Sequence, residues 1–364
     1  MINLDGSYGE GGGALIRTAL ALSTLTGISF EVTNIRAGRK KPGLKAQHLA
    51  AIKALKEICN AKTNDVELGS SKLRYIPNQI IGGKYNIDIG TAGSITLLLQ
   101  AIILPCMFAP SKVTLKVRGG TCGKWQAGVD YLQNILLPHL KKFVDKIEMK
   151  VLKRGYHPKG GGLIELQISP KFSLNKFDSC SAMLEELSMK VPKINLFDQG
   201  ELEQIKGIIN MSSELEDKNV GERIKRAARV HLNKYLQPFN IRLDYTSSES
   251  LGGEILLWTV FSKDGKVDFT NPTLLSGDAL LEKGKRSEEI GVEAAAELKE
   301  AIVSGAAVDK WLADQLIQFM ALLPGSVIET NLITDHTKTN IYIVEKFLEV
   351  GFKVDHNRIT AEKI

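Results

Sequence analysis

The segment TDHTKTN, residues 334–340, places a histidine between a carboxylate and the start of an apolar, helix-like run. His336 would lie at a helix N-terminus, where the positive potential disfavours the imidazolium and leaves a neutral ring that can attack an electrophile. Thr337 or Thr339 could cap this helix, and Asp335 could either orient the ring or face solvent. Taken alone, the segment is better explained by a surface histidine beside a helix cap than by a nucleophile.

A glycine-rich segment, GEGGG at Gly9–Gly13, opens the first predicted helix. Glycines let the backbone approach a ligand, and the free N–H groups of a helix N-terminus attract phosphate. No GKS or GKT follows, so the segment is not a P-loop. Glu10 is unusual in a phosphate-binding turn unless it holds a metal ion that also contacts phosphate. By itself, the segment is more simply interpreted as a flexible turn.

The loop IRAGRKKPG, residues 35–43, concentrates positive charge ahead of a second predicted helix. Arg36, Arg39, Lys40 and Lys41 repel one another unless solvent or an anion compensates, and arginine forks match phosphate oxygens in pairs. A solvated basic loop is the usual explanation of such a run. A phosphate site is favoured by the expected position of this loop, at the same end of its unit as the glycine-rich turn.

A further glycine-rich turn, RGYHPKGGGLI at residues 154–164, is predicted between two strands. His157 and Lys159 could contact a substrate there. An ordinary hairpin turn with incidental polar residues explains the segment equally well.

These residues lie on elements that follow an order recurring three times along the chain. Each instance has a Gly- or Ala-rich turn, an amphipathic helix, a strand, a loop and a second helix. The three first helices lie in GEGGGALIRTALALSTLTG, IGTAGSITLLLQAIILP and GAAVDKWLADQLIQFMALL. Short alternating runs at 64–89 and 145–170 predict strands. The sequence therefore predicts an α+β fold whose large domain contains three repeated units, each with a β-sheet and two helices.

The third unit is interrupted by a stretch rich in Ser, Glu and Lys, with one helix-like segment followed by strands. An insert of this size can fold as a small domain. The sequence predicts a large catalytic domain at 1–183 and 277–364 and a small inserted α/β domain at 184–276. A helix expected at about 286–304 would lead back into the large domain.

The composition is that of an ordinary globular protein. A net charge of +6 favours a polyanionic partner only slightly. No run of about 18 uncharged apolar residues is present, so we expect no membrane span. The N-terminus lacks the features of a secretory signal, and the four cysteines have no CxxC spacing. Free thiols and a cytoplasmic location are the expectation.

In this order, the motifs resemble those of the RNA 3′-terminal phosphate cyclase family along almost the whole chain. The matching segments are DGSYGEGGG, IRAGRKKPGL, GTAGSITLLLQ, RGYHPKGGG, WLADQ and DHTKTN. HTKTN fits the His-x-x-Thr-Asn motif of the catalytically active branch. The resemblance implies a large domain of three repeats, with an enolpyruvyl-transferase-like fold, and a small inserted domain.

The resemblance also implies an ATP-dependent reaction of the ligase class that converts an RNA 3′-terminal phosphate into a 2′,3′-cyclic phosphate. His336 would attack the α-phosphorus of ATP through Nε2 and release pyrophosphate. AMP would then pass to the RNA 3′-phosphate, giving RNA-(3′)pp(5′)A, and the 2′-hydroxyl would displace AMP. The implied partners are ATP and RNA 3′-phosphate ends, with Mg2+ or Mn2+ as metal ion, and a homodimer is possible.

Site residues are implied position by position. The metal ligand would be Glu10. The ATP contacts would be Gln100, Arg36, Arg39, Lys310, Trp311, Leu312, Ala313 and Asp314, with Trp311 stacked on the base. The RNA or phosphate contacts would be Arg17, Gln47 and Lys41. Two departures leave the nucleotide preference open: Trp311 replaces the tyrosine of many relatives, and CGKWQAGVDY lacks their Pro-Pro.

Three other functions explain parts of the sequence. A non-catalytic cyclase-like factor in RNA binding or ribosome assembly would share the fold, but such proteins lack the histidine motif that is present here. Enolpyruvyl transferases need six units, and this chain has three and an insert. A basic RNA-binding module would explain the charge but not the glycine-rich turns or Glu10.

Overall fold

A computed structural model describes the whole chain, residues 1–364, as four four-stranded sheets with packed helices. The strands are β1 (Ile2–Asp5), β2 (Phe30–Thr33), β3 (Lys62–Thr63), β4 (Leu73–Ile76), β5 (Gly83–Asp88), β6 (Val113–Gly119), β7 (Val144–Lys153), β8 (Gly162–Pro170), β9 (Asn195–Leu196), β10 (Glu201–Ser212), β11 (Phe239–Thr246), β12 (Gly253–Ser262), β13 (Ser276–Leu280), β14 (Val327–Glu329), β15 (Val350–Asp355) and β16 (Arg358–Lys363). The helices are α1 (Ala14–Thr26), α2 (Ala46–Cys59), α3 (Ile95–Cys106), α4 (Val129–Tyr131), α5 (Leu137–Leu140), α6 (Cys180–Lys190), α7 (Val220–His231), α8 (Ser287–Val303), α9 (Lys310–Met320) and α10 (Asp335–Phe347).

Three of the sheets share one topology. Their strand orders are β1-β2-β4-β3, β5-β6-β8-β7 and β9-β14-β16-β15. In each sheet the first two strands are parallel, and a hairpin of the last two strands joins the second strand antiparallel. A parallel pair needs a long crossover, and a helix lies in each one. The structure therefore confirms the predicted α+β fold of repeated sheet-and-helix units.

The first helix of each repeat is apolar around most of its circumference because it packs inside the protein. In α1 every residue except Thr26 is buried. Helix α1 packs on α3 and α10, and α10 packs on α9, so helices from all three repeats meet. This junction positions the candidate site.

The inserted segment forms the fourth sheet, in the order β11-β10-β12-β13, with α7 and α8 packed together beside it. It has an apolar cluster of 17 buried residues, separate from the main cluster of 81. The sheet and its two helices span 201–303, whereas the sequence predicted an insert at 184–276. Two pairings explain the difference: β9 joins the third repeat through β14, and β13 joins β12. That either range folds independently stays a prediction.

Helix α8, which is followed along the chain by α9 of the third repeat, packs against α7 and β13. Its apolar positions Ile290, Ala294 and Leu298 are buried in the cluster of the insert. The reason is the amphipathic pattern of the helix, which needs an apolar partner but does not specify which one.

None of the helices is both long and apolar enough to cross a membrane. All four cysteines are unpaired, and Cys59, Cys106 and Cys122 are buried. Burial raises the pKa of the Cys106 and Cys122 thiols, which keeps both protonated at neutral pH.

Candidate active site

A cleft of about 590 Å³, including the space at its mouth, lies where the three repeats meet. Repeat one contributes α1, repeat two contributes α3 and a turn before α4, and repeat three contributes α9 and α10. The lining residues are Ala14, Arg17, Thr18, Leu97, Gln100, Trp125, Gln126, Ala127, Trp311, Asp314, Gln315, Gln318, His336 and Asn340. Five residues implied by the resemblance are thus brought together, namely Arg17, Gln100, Trp311, Asp314 and His336.

His336 occupies the first turn of α10, with about a third of its side chain exposed. The helix begins one residue earlier, at Asp335, and its N-cap is Thr334, whose hydroxyl accepts from the Thr337 N–H at 3.0 Å. The predicted caps, Thr337 and Thr339, are therefore wrong. The earlier residue is the cap because its extended backbone aims the hydroxyl at the free N–H groups of the first turn.

The buried Asp314 fastens this first turn to α9. Its Oδ1 accepts from the hydroxyls of Thr334, at 2.6 Å, and Thr337. The backbone carbonyl of Asp314 accepts from Asn340 Nδ2 at 2.7 Å, and Asn340 Oδ1 accepts from the Thr18 hydroxyl at 2.8 Å. Burial raises the pKa of Asp314, and the two threonine bonds oppose that rise. The polar residues after His336 thus hold the histidine against α9 and α1.

Glu10 is the carboxylate beside the histidine ring. Its Oε1 lies 3.0 Å from His336 Nδ1, although the pair is not aligned as a hydrogen bond, and its Oε2 forms an ion pair with Arg39. Asp335 instead faces solvent and pairs with Lys338 at 3.2 Å. The structure therefore assigns the neighbouring carboxylate to Glu10 rather than to Asp335. With Nδ1 facing Glu10, Nε2 is the ring nitrogen left for a substrate.

Glu10 is the single side chain on which the binding of a divalent metal ion in this site would depend. No group of three or more His, Cys, Asp or Glu side chains is placed to hold a metal ion. Glu10 offers a buried Oε1 without an aligned hydrogen bond. Mg2+ is commonly held by one or two carboxylates and completes its shell with substrate phosphates and water. The residues fit a metal that is shared with bound phosphates, but not one that is held by the protein alone.

Arg17 brings a buried positive charge to the cleft. Its side chain is largely buried, and its Nε donates to Gln100 Oε1 at 2.7 Å. Burial lowers the pKa of Arg17 to about 10, so the guanidinium stays charged at neutral pH. Its two terminal nitrogens donate to no protein acceptor within hydrogen-bond distance. A buried cation with free donors is suited to an anionic ligand.

His48 lies beside Arg17 but does not act as a second cation. Its Nδ1 accepts from the Lys45 backbone N–H at 3.1 Å, and its Nε2 has no partner. Burial, aided by the charge of Arg17, lowers the pKa of His48 to about 3. The ring is therefore neutral, and Nε2 carries the proton because Nδ1 accepts.

The basic loop lies outside the cleft lining. Arg36 braces it, because Nη1 donates to the carbonyls of Lys41, at 2.8 Å, and Gly43, at 3.1 Å. Arg39 extends from this loop to Glu10, whereas the side chain of Lys41 is exposed. Gln47 is partly buried near the turn before α3. Among these four residues, only Arg39 contacts the residues around His336 directly.

Only part of the predicted segment 310–314 faces the cleft. Lys310 pairs with Glu297 of α8 at 2.8 Å, and Leu312 and Ala313 are fully buried in the core. The cleft face of α9 follows helical spacing and continues to Gln315 and Gln318. Helical spacing counted from Trp311 could therefore have predicted both glutamines from the sequence.

The turn RGYHPKGGG is absent from the cleft lining. Arg154 makes a buried bidentate ion pair with Asp130, at 2.6 and 3.0 Å. A side chain at Gly160 would collide with the backbone of Ala92, so this glycine permits close packing. The structure therefore gives Arg154 and Gly160 of this turn a packing role.

Comparison with known proteins gives the family. A family model described as RNA 3′-terminal phosphate cyclase matches residues 8–354. The chain is 39% identical over 354 residues to the RNA 3′-terminal phosphate cyclase of Pyrococcus furiosus, covering 97% of this chain and 95% of that protein. It is 40% identical over 358 residues to the protein of that name from Methanosarcina mazei, with 97% of each chain covered. The chain therefore belongs to the RNA 3′-terminal phosphate cyclase family.

Proposed function

We propose that this protein uses ATP to convert RNA 3′-terminal phosphates into 2′,3′-cyclic phosphates through a covalent adenylyl-histidine. The matched relatives are named RNA 3′-terminal phosphate cyclases. The observation that carries the proposal is the placement of His336 beside Glu10, in a cleft to which all three repeats contribute. A non-catalytic RNA-binding role would leave this arrangement without a use.

In the first step, His336 Nε2 attacks the α-phosphorus of ATP. A P–N bond forms, the bond to the bridging oxygen of pyrophosphate breaks, and pyrophosphate leaves. Glu10 Oε1, 3.0 Å from Nδ1, favours the tautomer that carries its proton on Nδ1. The same carboxylate stabilises the positive charge that the ring acquires as the bond forms.

The cations of the first repeat would bind the phosphates. The free donors of Arg17 would bind a phosphate oxygen in the cleft, and Arg36 and Arg39 would add charge from the basic loop. Glu10 Oε1 would also hold Mg2+ or Mn2+, because a carboxylate oxygen has lone pairs for both the metal and the ring. When bound, such an ion neutralises charge on the leaving pyrophosphate.

In the second step, an oxygen of the RNA 3′-phosphate attacks the adenylyl phosphorus and displaces Nε2, which gives RNA-(3′)pp(5′)A. The vicinal 2′-hydroxyl then attacks the 3′-phosphorus and releases its proton to water, the P–O bond to AMP breaks, and AMP leaves as the cyclic ester closes. The two groups of the last step are already adjacent, so closure benefits from proximity. The requirement for a 2′-hydroxyl restricts closure to RNA ends.

The nucleoside would be held by residues of α9. Trp311 would stack on the base, and the second carboxyl oxygen of Asp314 would accept from the sugar or base. The Oδ1 atom of Asp314 is already used by two threonines, and the residue lines the cleft. Asp314 thus joins the ligand to the turn that carries His336.

ATP labelled at the α-phosphate tests the proposal directly. Wild-type protein incubated with Mg2+ and this ATP should acquire acid-labile, alkali-stable label, and His336→Ala should acquire none. Asp335→Asn is the matched control and should label normally, because Asp335 faces solvent. Label that persists in His336→Ala would show that another residue is the nucleophile. Wild-type protein that takes no label and forms no cyclic RNA ends would contradict the proposed function.

A further inference from the structure

The outward face of α7, in the inserted segment, concentrates positive charge. With its histidine counted as neutral, the helix has four basic side chains and one carboxylate in 12 residues, a net charge of +3 against +6 for the whole chain. Its buried residues are Gly221, Ile224 and Ala228, and helical spacing puts Arg226 and Arg229 on the opposite face, where both are exposed. The helix therefore presents its basic face to solvent.

Three of the four cations have no partner within the protein. Arg223 is the exception, because it donates to a serine of α8 at 2.8 Å and lies 3.8 Å from a glutamate of the same helix. Lys225, Arg226 and Arg229 form no side-chain hydrogen bond and no ion pair. Among the 12 arginines of the chain, Arg74 is the only other one in that state. Neighbouring cations repel one another, so this face favours an anionic partner.

Packing fixes the position of α7 in the insert. A side chain at Gly291 of α8 would come within 2.3 Å of the Ile224 carbonyl, so the two helices approach closely. Ile224, Ala228 and Leu232 belong to the apolar cluster of the insert. The basic side chains thus project from a fixed helix, which lowers the cost of ordering their backbone when a ligand binds.

The shape and chemistry of this face suit a chain of phosphates. It has a surface depression lined by Glu222, Arg223, Lys225, Arg226, Arg229 and Val230. Lys225 and Arg229 lie about 6 Å apart along the helix axis, so the charge is spread over more than one phosphate ion. Arginine forks match phosphate oxygens in pairs. The lining has no aromatic side chain to stack on a base, which favours contact with the backbone of a nucleic acid.

A lipid surface fits this helix less well than a nucleic acid. A helix that lies in a membrane interface inserts its apolar face among the lipids. The apolar face of α7 is already buried against α8 and the sheet of the insert. Val230 is the one apolar residue in the lining of the depression.

We propose that α7 is an RNA-binding surface outside the cleft, where Lys225, Arg226 and Arg229 contact the phosphate backbone of the RNA whose 3′ end occupies the cleft. The inference rests on the proposed function, which makes RNA the polyanion that this protein binds. None of the three residues lines the cleft. Phosphate contacts position an RNA without reading its sequence. The inserted segment would therefore add affinity for long RNAs, whatever their sequence, and none for RNAs too short to reach α7.

The test compares 3′-phosphorylated RNAs of two lengths. The variant with Lys225→Glu, Arg226→Glu and Arg229→Glu should raise the KM for cyclisation of an RNA of about 30 nucleotides by about tenfold or more at low salt. The slope of log KM against log salt concentration should fall by about 2, because each contact to a single strand contributes about 0.7. For an RNA of about four nucleotides, KM should equal that of the wild type. The adenylylation of His336 should not change.

The matched control is the variant with Lys53→Glu, Lys56→Glu and Arg74→Glu. These three cations of the first repeat are exposed, and the control changes the net charge by the same amount. It should keep most of the wild-type affinity for the long RNA. Replacing the three α7 residues by Gln instead of Glu removes the charge without adding repulsion, and should raise the KM for the long RNA by a smaller factor. Thermal unfolding checks that all variants are folded.

A wild-type KM for the long RNA in the folded α7 variants would overturn the inference. So would an equal loss for both RNA lengths, or an equal loss in the control, because the effect would then come from overall charge. Binding to anionic phospholipid vesicles that depends on these residues, with normal cyclisation of the long RNA, would assign the surface to a membrane. Fluorescence anisotropy in a His336→Ala background measures RNA binding without chemistry. If binding there depends on α7 but the wild type forms no cyclic ends, the proposed function fails and the RNA-binding surface stands.

Discussion

His336 Nδ1 lies 3.0 Å from Oε1 of Glu10, although the two residues belong to different repeats. Glu10 precedes the first helix of the first repeat, and His336 opens the second helix of the third. Arg39 holds the other carboxyl oxygen, so an arginine, a carboxylate and an imidazole form a continuous row. The carboxylate that faces the ring therefore comes from outside the helix that carries His336.

Replacing Glu10 by Gln should slow the adenylylation of His336 by about 100-fold, because the neutral amide cannot stabilise the charged ring or hold a metal ion. The measurement is the rate of label transfer from α-labelled ATP at saturating Mg2+. Asp335→Asn, which keeps the Glu10 carboxylate, should react at the wild-type rate. A Glu10→Gln protein that labels as fast as the wild type would remove Glu10 from the chemistry.

Replacing Arg17 by Met should weaken ATP binding by about 10- to 100-fold without lowering the melting temperature. The reason is that the guanidinium is buried without a carboxylate bonded to it, so its removal relieves desolvation. Calorimetry with ATP and thermal unfolding without ATP measure the two effects. Intact ATP binding together with a melting temperature lowered by several degrees would show that Arg17 is structural.

Replacing Asn340 by Ala should lower the free energy of unfolding by about 1–3 kcal/mol, because the buried Asp314 carbonyl and the Thr18 hydroxyl both lose a partner. Adenylylation should also slow, because the turn that carries His336 is released from α9 and α1. Urea unfolding and label transfer measure these effects. The matched control is Lys338→Ala on the exposed face of the same turn, and equal behaviour of the two variants would refute the anchoring role.

Replacing Asp278 by Asn should stabilise the protein at pH 8 but not at pH 4. Burial and the nearby Glu297 raise the pKa of Asp278 to about 7. Between its ordinary pKa near 4 and about 7, the folded state keeps a proton that the unfolded state releases, so stability falls as pH rises through this window. The variant has no carboxyl group at this position and therefore does not lose stability in this window. Its free energy of unfolding in urea at pH 8 should exceed that of the wild type by at least about 1 kcal/mol. A difference that is constant across pH would contradict the raised pKa.

The repeats and the nucleophile candidate could be predicted because both leave local patterns. A glycine- or alanine-rich turn before an apolar run marks the first helix of each repeat, and His336 lies in a compact polar motif. The site residues on α9 follow helical spacing, so the same spacing could have predicted Gln315 and Gln318.

The remaining features depend on contacts between distant segments. Asp335 is adjacent to His336 in sequence, but the carboxylate at the ring comes from the first repeat. The packing partners of α8, which are α7 and β13, could not be predicted because amphipathic spacing defines a face and not its neighbour. The segment CGKWQAGVDY was singled out for its missing Pro-Pro, but that Trp125 in it lines the cleft depends on the conformation of the turn.

Because three repeats meet at one cleft, the cleft forms only when all three repeats are folded. Arg17, Gln100 and His336 come from three separate sheet-and-helix units, and each unit contributes only part of the cleft lining. A molecule in which one unit has opened has no cleft, whatever the state of the other two. ATP would bind only the state in which all three units are folded. Bound nucleotide should therefore protect each unit from proteolysis to the same extent.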